Sequence, residues 1–198
     1  MNKILCTALL LSTMIACQPE KEVLIDNPSD EKISIQLDGD ETISLEPWET
    51  KTIMVKFGNR QISVNDQPAE EIYLDKDNDY LLNPTKETYY IEKAIYFTSK
   101  REEKRYSENH YPPNSIVEGY EIAGDYKKIE GQLLIKKVWK FGLENGIAPS
   151  FQARVNPLKG YLAVAKIHRK KDLSDFISNE LTKQMEAFIK ERELNITE

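Results

Sequence analysis

The sequence predicts an α+β fold: an N-terminal antiparallel β-sandwich-like module, then a smaller α+β portion ending in an amphipathic helix. Two patterns carry this. Residues 23–83 fall into short apolar segments bounded by Asn, Asp, Gly and Pro, the punctuation of consecutive strands. From Leu173 to Ile189 apolar residues recur three and four positions apart, which is helical spacing. The chain has 198 residues, 8 Gly and 9 Pro, so it is long enough for a real core and too poor in breakers to be low-complexity.

The first residues stand apart from the fold. Lys3 supplies a positive charge, Ile4–Leu11 is mostly apolar, and Ser12 to Ala16 leads into Cys17. This run is too short for the roughly 20 apolar residues of a membrane-spanning helix. Residues 1–16 are therefore expected to be a secretory signal peptide, outside the fold. Met14-Ile15-Ala16-Cys17 resembles the lipobox of bacterial lipoproteins, with Met14 where Leu is usual. The resemblance implies a diacylglyceryl group on the Cys17 thiol, removal of the preceding peptide, and acylation of the new amine, with palmitate as the expected chain. Several chains on one residue would hold the protein firmly, since each buried methylene contributes about 0.8 kcal/mol. Cys6 leaves with the signal and Cys17 carries lipid, so no thiol remains for disulfides, nucleophilic catalysis or metal binding. Residues 17–22 are expected to form a lipidated tether, in which the five residues between Cys17 and Val23 reach at most about 17 Å.

The strands follow in order. Val23-Leu24-Ile25 precedes the turn cluster Asp26-Asn27-Pro28-Ser29-Asp30. Ile33, Ile35 and Leu37 alternate with polar residues, and Asp38-Gly39 marks a tight hairpin into Ile43 and Leu45. Pro47-Trp48 ends that strand. Ile53, Val55 and Phe57 form the next, and Gly58-Asn59 turns the chain into Ile62 and Val64. Asn65-Asp66 leads to Ile72-Tyr73-Leu74. The layout resembles small Ig-like or prealbumin-like modules of secreted bacterial proteins, a resemblance of architecture without an implied activity.

Residues 84–198 make up the second portion. Eight of the ten tyrosines fall between Tyr80 and Tyr126. Thr88–Phe97 suits a strand or a helix. The charge run from Lys100 to Arg105 and the pair Pro112-Pro113 predict an exposed loop over 99–115. Leu133–Phe141 and Gly160–His168 read as strands. The closing helix is expected over 172–194, with Asp172 as N-cap and Leu173, Phe176, Ile177, Leu181, Met185, Phe188 and Ile189 packed on a sheet. Asn83-Pro84-Thr85, Tyr89-Tyr90-Ile91-Glu92, Ile129-Glu130-Gly131 and Val138-Trp139-Lys140-Phe141-Gly142-Leu143 together resemble a pattern of uncharacterised Bacteroidota envelope lipoproteins. That resemblance implies an envelope location and no catalytic residue. No internal repeat is evident.

A formal charge of −6 argues against nucleic acid as a partner. Asp75-Lys76-Asp77-Asn78-Asp79 has the carboxylate spacing of a calcium loop. Tyr80 and Lys86 stand where an EF-hand needs Gly and Glu, so an acidic turn is the better expectation. His110 and His168 are far apart in sequence and neither has a second histidine at ligand spacing. Glu70/Glu71 and Glu102/Glu103 are adjacent acids of the kind a carboxylate-dependent hydrolase uses, and nothing singles out either pair. The sequence therefore predicts no catalytic residue, no metal ligand and no cofactor. Trp48, Tyr106 and Tyr111 are the candidate binding-surface residues, set against tyrosines that serve the core; Trp139 reads as core. Lys136, Lys137, Lys140 and His168–Lys171 read as a salt-bridged surface, with anionic lipid headgroups as the rival reading. Function is expected to be that of a lipid-anchored envelope protein with a non-enzymatic binding or structural role at the outer membrane. Its partners would be the membrane, through the lipid, and an envelope protein or glycan. The alternatives are a glycan-binding module using surface aromatics and the hydrolase. Gln18 after the cysteine fits outer-membrane sorting; Glu20 and Glu22 loosely resemble surface-export signals of Bacteroidota lipoproteins.

Overall fold

The computed structural model describes residues 19–40, 42–109, 114–148 and 160–196. Residues 1–16, expected to be a signal peptide, and Cys17, His110 and Tyr111 lie outside the described residues. Among the described residues the fold is α+β, with largely antiparallel sheets and two helices.

The chain begins with β1 (Glu20–Asp26), β2 (Ile33–Leu37), β3 (Thr42–Leu45), β4 (Thr50–Lys56), β5 (Gly58–Val64), β6 (Glu70–Leu74) and β7 (Tyr80–Leu82). It continues through β8 (Tyr89–Phe97), α1 (Lys100–Asn109), β9 (Asn114–Val117), β10 (Tyr120–Ala123), β11 (Asp125–Ile129) and β12 (Leu134–Lys136). It ends with β13 (Tyr161–Arg169) and α2 (Lys170–Ile196). One sheet has the order β12-β7-β1-β4, a second β3-β2-β5-β6, a third β11-β8-β13, and β9-β10 form a hairpin.

The expected turns form as their residues require. Asp38-Gly39 has φ of 53° and 79°, and Asn65-Asp66 has 49° and 59°. Each pair is closed by a bond across the turn, Asp40 N–H to Leu37 O and Gln67 N–H to Val64 O. Two consecutive positive φ values define the hairpin turn that matches strand twist.

The first sheet is the middle layer. Val23, Ile25, Val55, Tyr80 and Leu82 pack from it against Ile33, Ile35, Leu45, Ile62, Ile72 and Leu74 of the second sheet, forming the sandwich core. Its other face carries Leu24, Leu81 and Ile135, which pack with Trp139 against Tyr89, Ile91 and Ile167 of the third sheet. A strand buried on both faces has no polar side to show. That is why Val23-Leu24-Ile25 and Tyr80-Leu81-Leu82 read as unbroken apolar runs, while β2, buried on one face, alternates.

Four expectations need correction. Strand β1 begins at Glu20, where Glu20, Lys21 and Glu22 pair with Lys56, Val55 and Met54, so half of the expected tether is sheet. Strand β12 pairs with β7, so the sheet draws a strand from well beyond residue 83. The loop expected over 99–115 contains α1 instead. Ser99 Oγ accepts the Glu102 N–H at 3.3 Å, an N-cap within a Ser-x-x-Glu pattern, and Glu102–Arg105 and Lys104–Glu108 pair along the helix. Helix α2 starts two residues before the expected Asp172 cap and docks through its first turns: Leu173 and Ile177 pack on Tyr90 and Val117. Phe176, Leu181, Met185, Phe188 and Ile189 are exposed instead of packed on the sheet.

Candidate functional site

Strand β1 leads into Asn27-Pro28-Ser29, and the parallel strand β7 beside it leads into Asn83-Pro84-Thr85. Both asparagines are fully buried. Asn27 Nδ2 donates to Glu31 O at 2.7 Å and Glu46 O at 2.9 Å. Asn83 Nδ2 donates to Glu87 O and Gln132 O, both at 2.9 Å. In each turn the hydroxyl two residues on donates back to the asparagine Oδ1. The two turns are the same device, each fastening its own loop and a neighbouring one. This is the local repeat the sequence reading missed; the shared Asn-Pro-Ser/Thr triplet was its signal.

Between these turns and the start of α2 lies a cleft of about 350 Å³, lined by Trp48, Ser29, Asp30, Glu87, Thr88, Lys170, Lys171 and Ser174. Trp48 is half-buried in its wall. Its backbone has φ of 63°, and Glu49 N–H donates to Glu46 O at 3.1 Å across Pro47-Trp48. Pro second and a positive φ third describe a type II turn, whose third position ordinarily belongs to glycine. A tryptophan there carries a backbone cost of about 1–3 kcal/mol. The surroundings hold it in place: Arg169 Nη2 donates to Trp48 O at 3.0 Å, and Lys171 Nζ lies over the indole 5.6 Å from its centroid.

Arg169 roots the cleft in the core. Its guanidinium grips Asp26 with two bonds, Nε to Oδ2 at 2.9 Å and Nη2 to Oδ1 at 2.6 Å, and Nη2 also donates to Thr50 Oγ1 at 2.8 Å. Asp26 is 0 % exposed and the arginine side chain 7 %. Tyr89 Oη donates to Asp26 Oδ2 at 2.6 Å, and burial, then the Asp26 charge, pushes the Tyr89 phenol far up. Asp172, 3.7 Å from Arg169, is shifted up by burial. The ion pair therefore joins the first sheet to β13 and fixes the carbonyl of the cleft's aromatic wall.

The basic run has separate partners. His168 meets Glu92 at 2.7 Å, Arg169 meets Asp26, Lys170 meets Glu118 at 2.8 Å, and Lys171 meets Asp175 at 2.6 Å. Around Glu92 the third sheet also gathers Tyr126, whose phenol burial and Glu92 raise to about 12, and the cross-strand Lys166, lowered by burial.

Of the candidate surface residues that are described, Trp48 lines the cleft and Tyr106 does not. Tyr106 packs with Phe97 and Tyr161 at centroid distances of 5.4 and 5.0 Å. That cluster stands at the opposite end of β8 and β13, about 26 Å away along the strands. Tyr80, Tyr89 and Tyr90 are buried, and Trp139 is in the core. Glu70 pairs with Lys86 at 2.7 Å and Glu102 with Arg105, on separate elements. The cleft's own carboxylates, Asp30 and Glu87, come from the two Asn-Pro loops.

At Asp75 the calcium-like spacing makes a closed turn. Asp75 Oδ1 accepts the Asp77 and Asn78 N–H groups, both at 2.8 Å, while Oδ2 accepts Asn78 Nδ2 and Tyr80 Oη. These bonds, led by that from Tyr80, hold the carboxyl far below its ordinary value. The Lys21 ammonium binds the Asp75 and Asn78 carbonyls and lies over the Phe57 and Tyr80 rings. Among the described residues, no cluster of metal-ligating side chains is present.

Compared with known proteins, the chain matches no family model, no curated protein and no solved structure.

Proposed function

We propose that the chain is a lipid-anchored protein of the bacterial cell envelope, attached through Cys17 to the outer membrane. Its role is binding rather than catalysis, and the Trp48 cleft receives the ligand. The observation that carries the binding role is Trp48 itself. A bulky aromatic residue occupies a glycine position, at a cost to the backbone, and is held against a cleft by a buried arginine. Strain of this kind, retained beside a cavity, favours a functional reading.

The anchor rests on the lipobox-like Met14-Ile15-Ala16-Cys17. The start of β1 at Glu20 supports a body held close to the bilayer, since only Gln18 and Pro19 separate it from Cys17. Strand β1 then runs seven residues, about 20 Å, from the anchored end to Asp26 and the cleft. On this reading the cleft opens away from the membrane. Cys17→Ala tests the anchor: it is expected to abolish metabolic labelling with palmitate and release the protein from the membrane fraction. Unchanged labelling and fractionation would refute it.

A further inference from the structure

We infer that the ligand of the Trp48 cleft is a neutral saccharide of one or two pyranose rings, an inference that rests on the cleft being the binding site. The lining has the two things such a ligand recognises. A pyranose has an apolar face of C–H groups, suited to lie on a flat aromatic ring, and a rim of hydroxyls that each donate and accept hydrogen bonds. The cleft offers the Trp48 indole and a rim mixing both kinds of group. Asp30 and Glu87 accept, Lys170 and Lys171 donate, and the hydroxyls of Thr88 and Ser174 do either.

The charges argue against an ionic ligand. Two ammonium groups face two carboxylates, so the lining is neutral as a whole. Each lysine is also bonded to a further acid, Glu118 or Asp175, which leaves an anion no uncompensated cation. A wholly apolar ligand would strip water from four charged side chains without replacing their bonds, a loss that disfavours it. At about 350 Å³ the space suits a small ligand and excludes a long one from full burial.

The two tryptophans supply the assay. Trp139 is buried in the core and Trp48 borders the cleft, so the two indole N–H signals of the ¹⁵N-labelled full chain in detergent micelles report separately. The probes are maltose, cellobiose, lactose and N,N′-diacetylchitobiose, with glucuronic acid and a sulfated disaccharide as the anionic arm, and a dipeptide mixture as the third arm. At least one neutral sugar is expected to move the Trp48 signal saturably while the Trp139 signal stays. Trp48→Gly, which suits the turn, is expected to keep the fold and to weaken that binding at least about tenfold. Ser174→Phe, which fills the cleft from the helix surface, is expected to weaken it as well. Response to the anionic or peptide arm alone overturns the saccharide and leaves the cleft as the site. No response to any probe overturns both, as does sugar binding that both variants leave unchanged.

Discussion

Strand β1 carries the same three groups near each of its ends: a tyrosine hydroxyl, an aspartate and a sheltered cation. The two trios are connected differently. At the cleft end Tyr89 and Arg169 both bind the Asp26 carboxylate, so each buried ion has the other as its partner. At the other end Tyr80 binds Asp75, but the Asp75 carboxylate is completed by its own loop, and Lys21 turns to backbone carbonyls, aromatic rings and the water-exposed carboxylate of Asp79 at 3.7 Å. The first trio joins residues 143 positions apart and ties two β-systems together. The second fastens one loop to one strand. The contrast teaches that a sheltered charge is structurally decisive where its counter-ion is sheltered too, and dispensable where neutral dipoles, rings and a counter-ion still in water receive it.

The largest effect should come from breaking the buried pair. Arg169→Met leaves Asp26 charged in the core without a counter-ion, held only by the Tyr89 and Thr50 hydroxyls, and is expected to cost about 3–5 kcal/mol in urea denaturation. Asp26→Leu combined with Arg169→Met removes both charges and should recover much of that loss. A double variant no more stable than the single one would mean that the bonds to Trp48 O and Thr50, rather than the charge pairing, hold this junction.

Alkali should separate the two tyrosines. Burial first raises Tyr89, a bond to Asp75 first raises Tyr80, and burial first raises Tyr90 and Tyr126 to about 12. Above pH about 10 the unfolded phenols lose protons that the folded ones keep, so the native state binds more protons. Stability is therefore complete below that pH and falls as the pH rises toward 12. Thermal melts from pH 8.5 to 11.5, read with phenolate absorbance, should show this fall. Tyr89→Phe should flatten it more than Tyr80→Phe, because Tyr89 is fully enclosed. Equal flattening would mean that the two trios shelter their phenols alike.

How much of this was legible depended on whether the signal was local. The hairpins at Asp38-Gly39 and Asn65-Asp66 and the alternation of β2 are local, and were read correctly. Sheet pairing is not local, so nothing near residue 135 announced that β12 would join β7. Two-sided burial did leave a trace, in the unbroken run Tyr80-Leu81-Leu82, which period-two reasoning passes over. Helix α1 was hidden by its charge density, since Lys100–Arg105 resembles a solvated loop until Ser99 is recognised as a cap. At the site, Trp48 was legible as an aromatic residue at a turn. Arg169 was not, because in the run His168-Arg169-Lys170-Lys171 nothing distinguishes the one cation that enters the core from those that pair at the surface.

The smallest of these effects, and the sharpest test of the contrast, is Lys21→Met. Methionine keeps an unbranched side chain between the Phe57 and Tyr80 rings while removing the ammonium. The Asp75 carboxylate keeps the bonds from Asp77, Asn78 and Tyr80, so no buried charge is stranded. What is lost is the ammonium's bonding to the Asp75 and Asn78 carbonyls and its 3.7 Å pairing with Asp79, a carboxylate that stays in water and so is left hydrated, not stranded. The expected cost is therefore about 1 kcal/mol, the net worth of ordinary hydrogen bonding, well below that of Arg169→Met. Equilibrium unfolding of the two variants under one condition makes the comparison. A Lys21→Met loss as large as that of Arg169→Met would mean that the Lys21 charge, and not its stem, anchors the start of β1, and the two ends of the strand would then obey one rule.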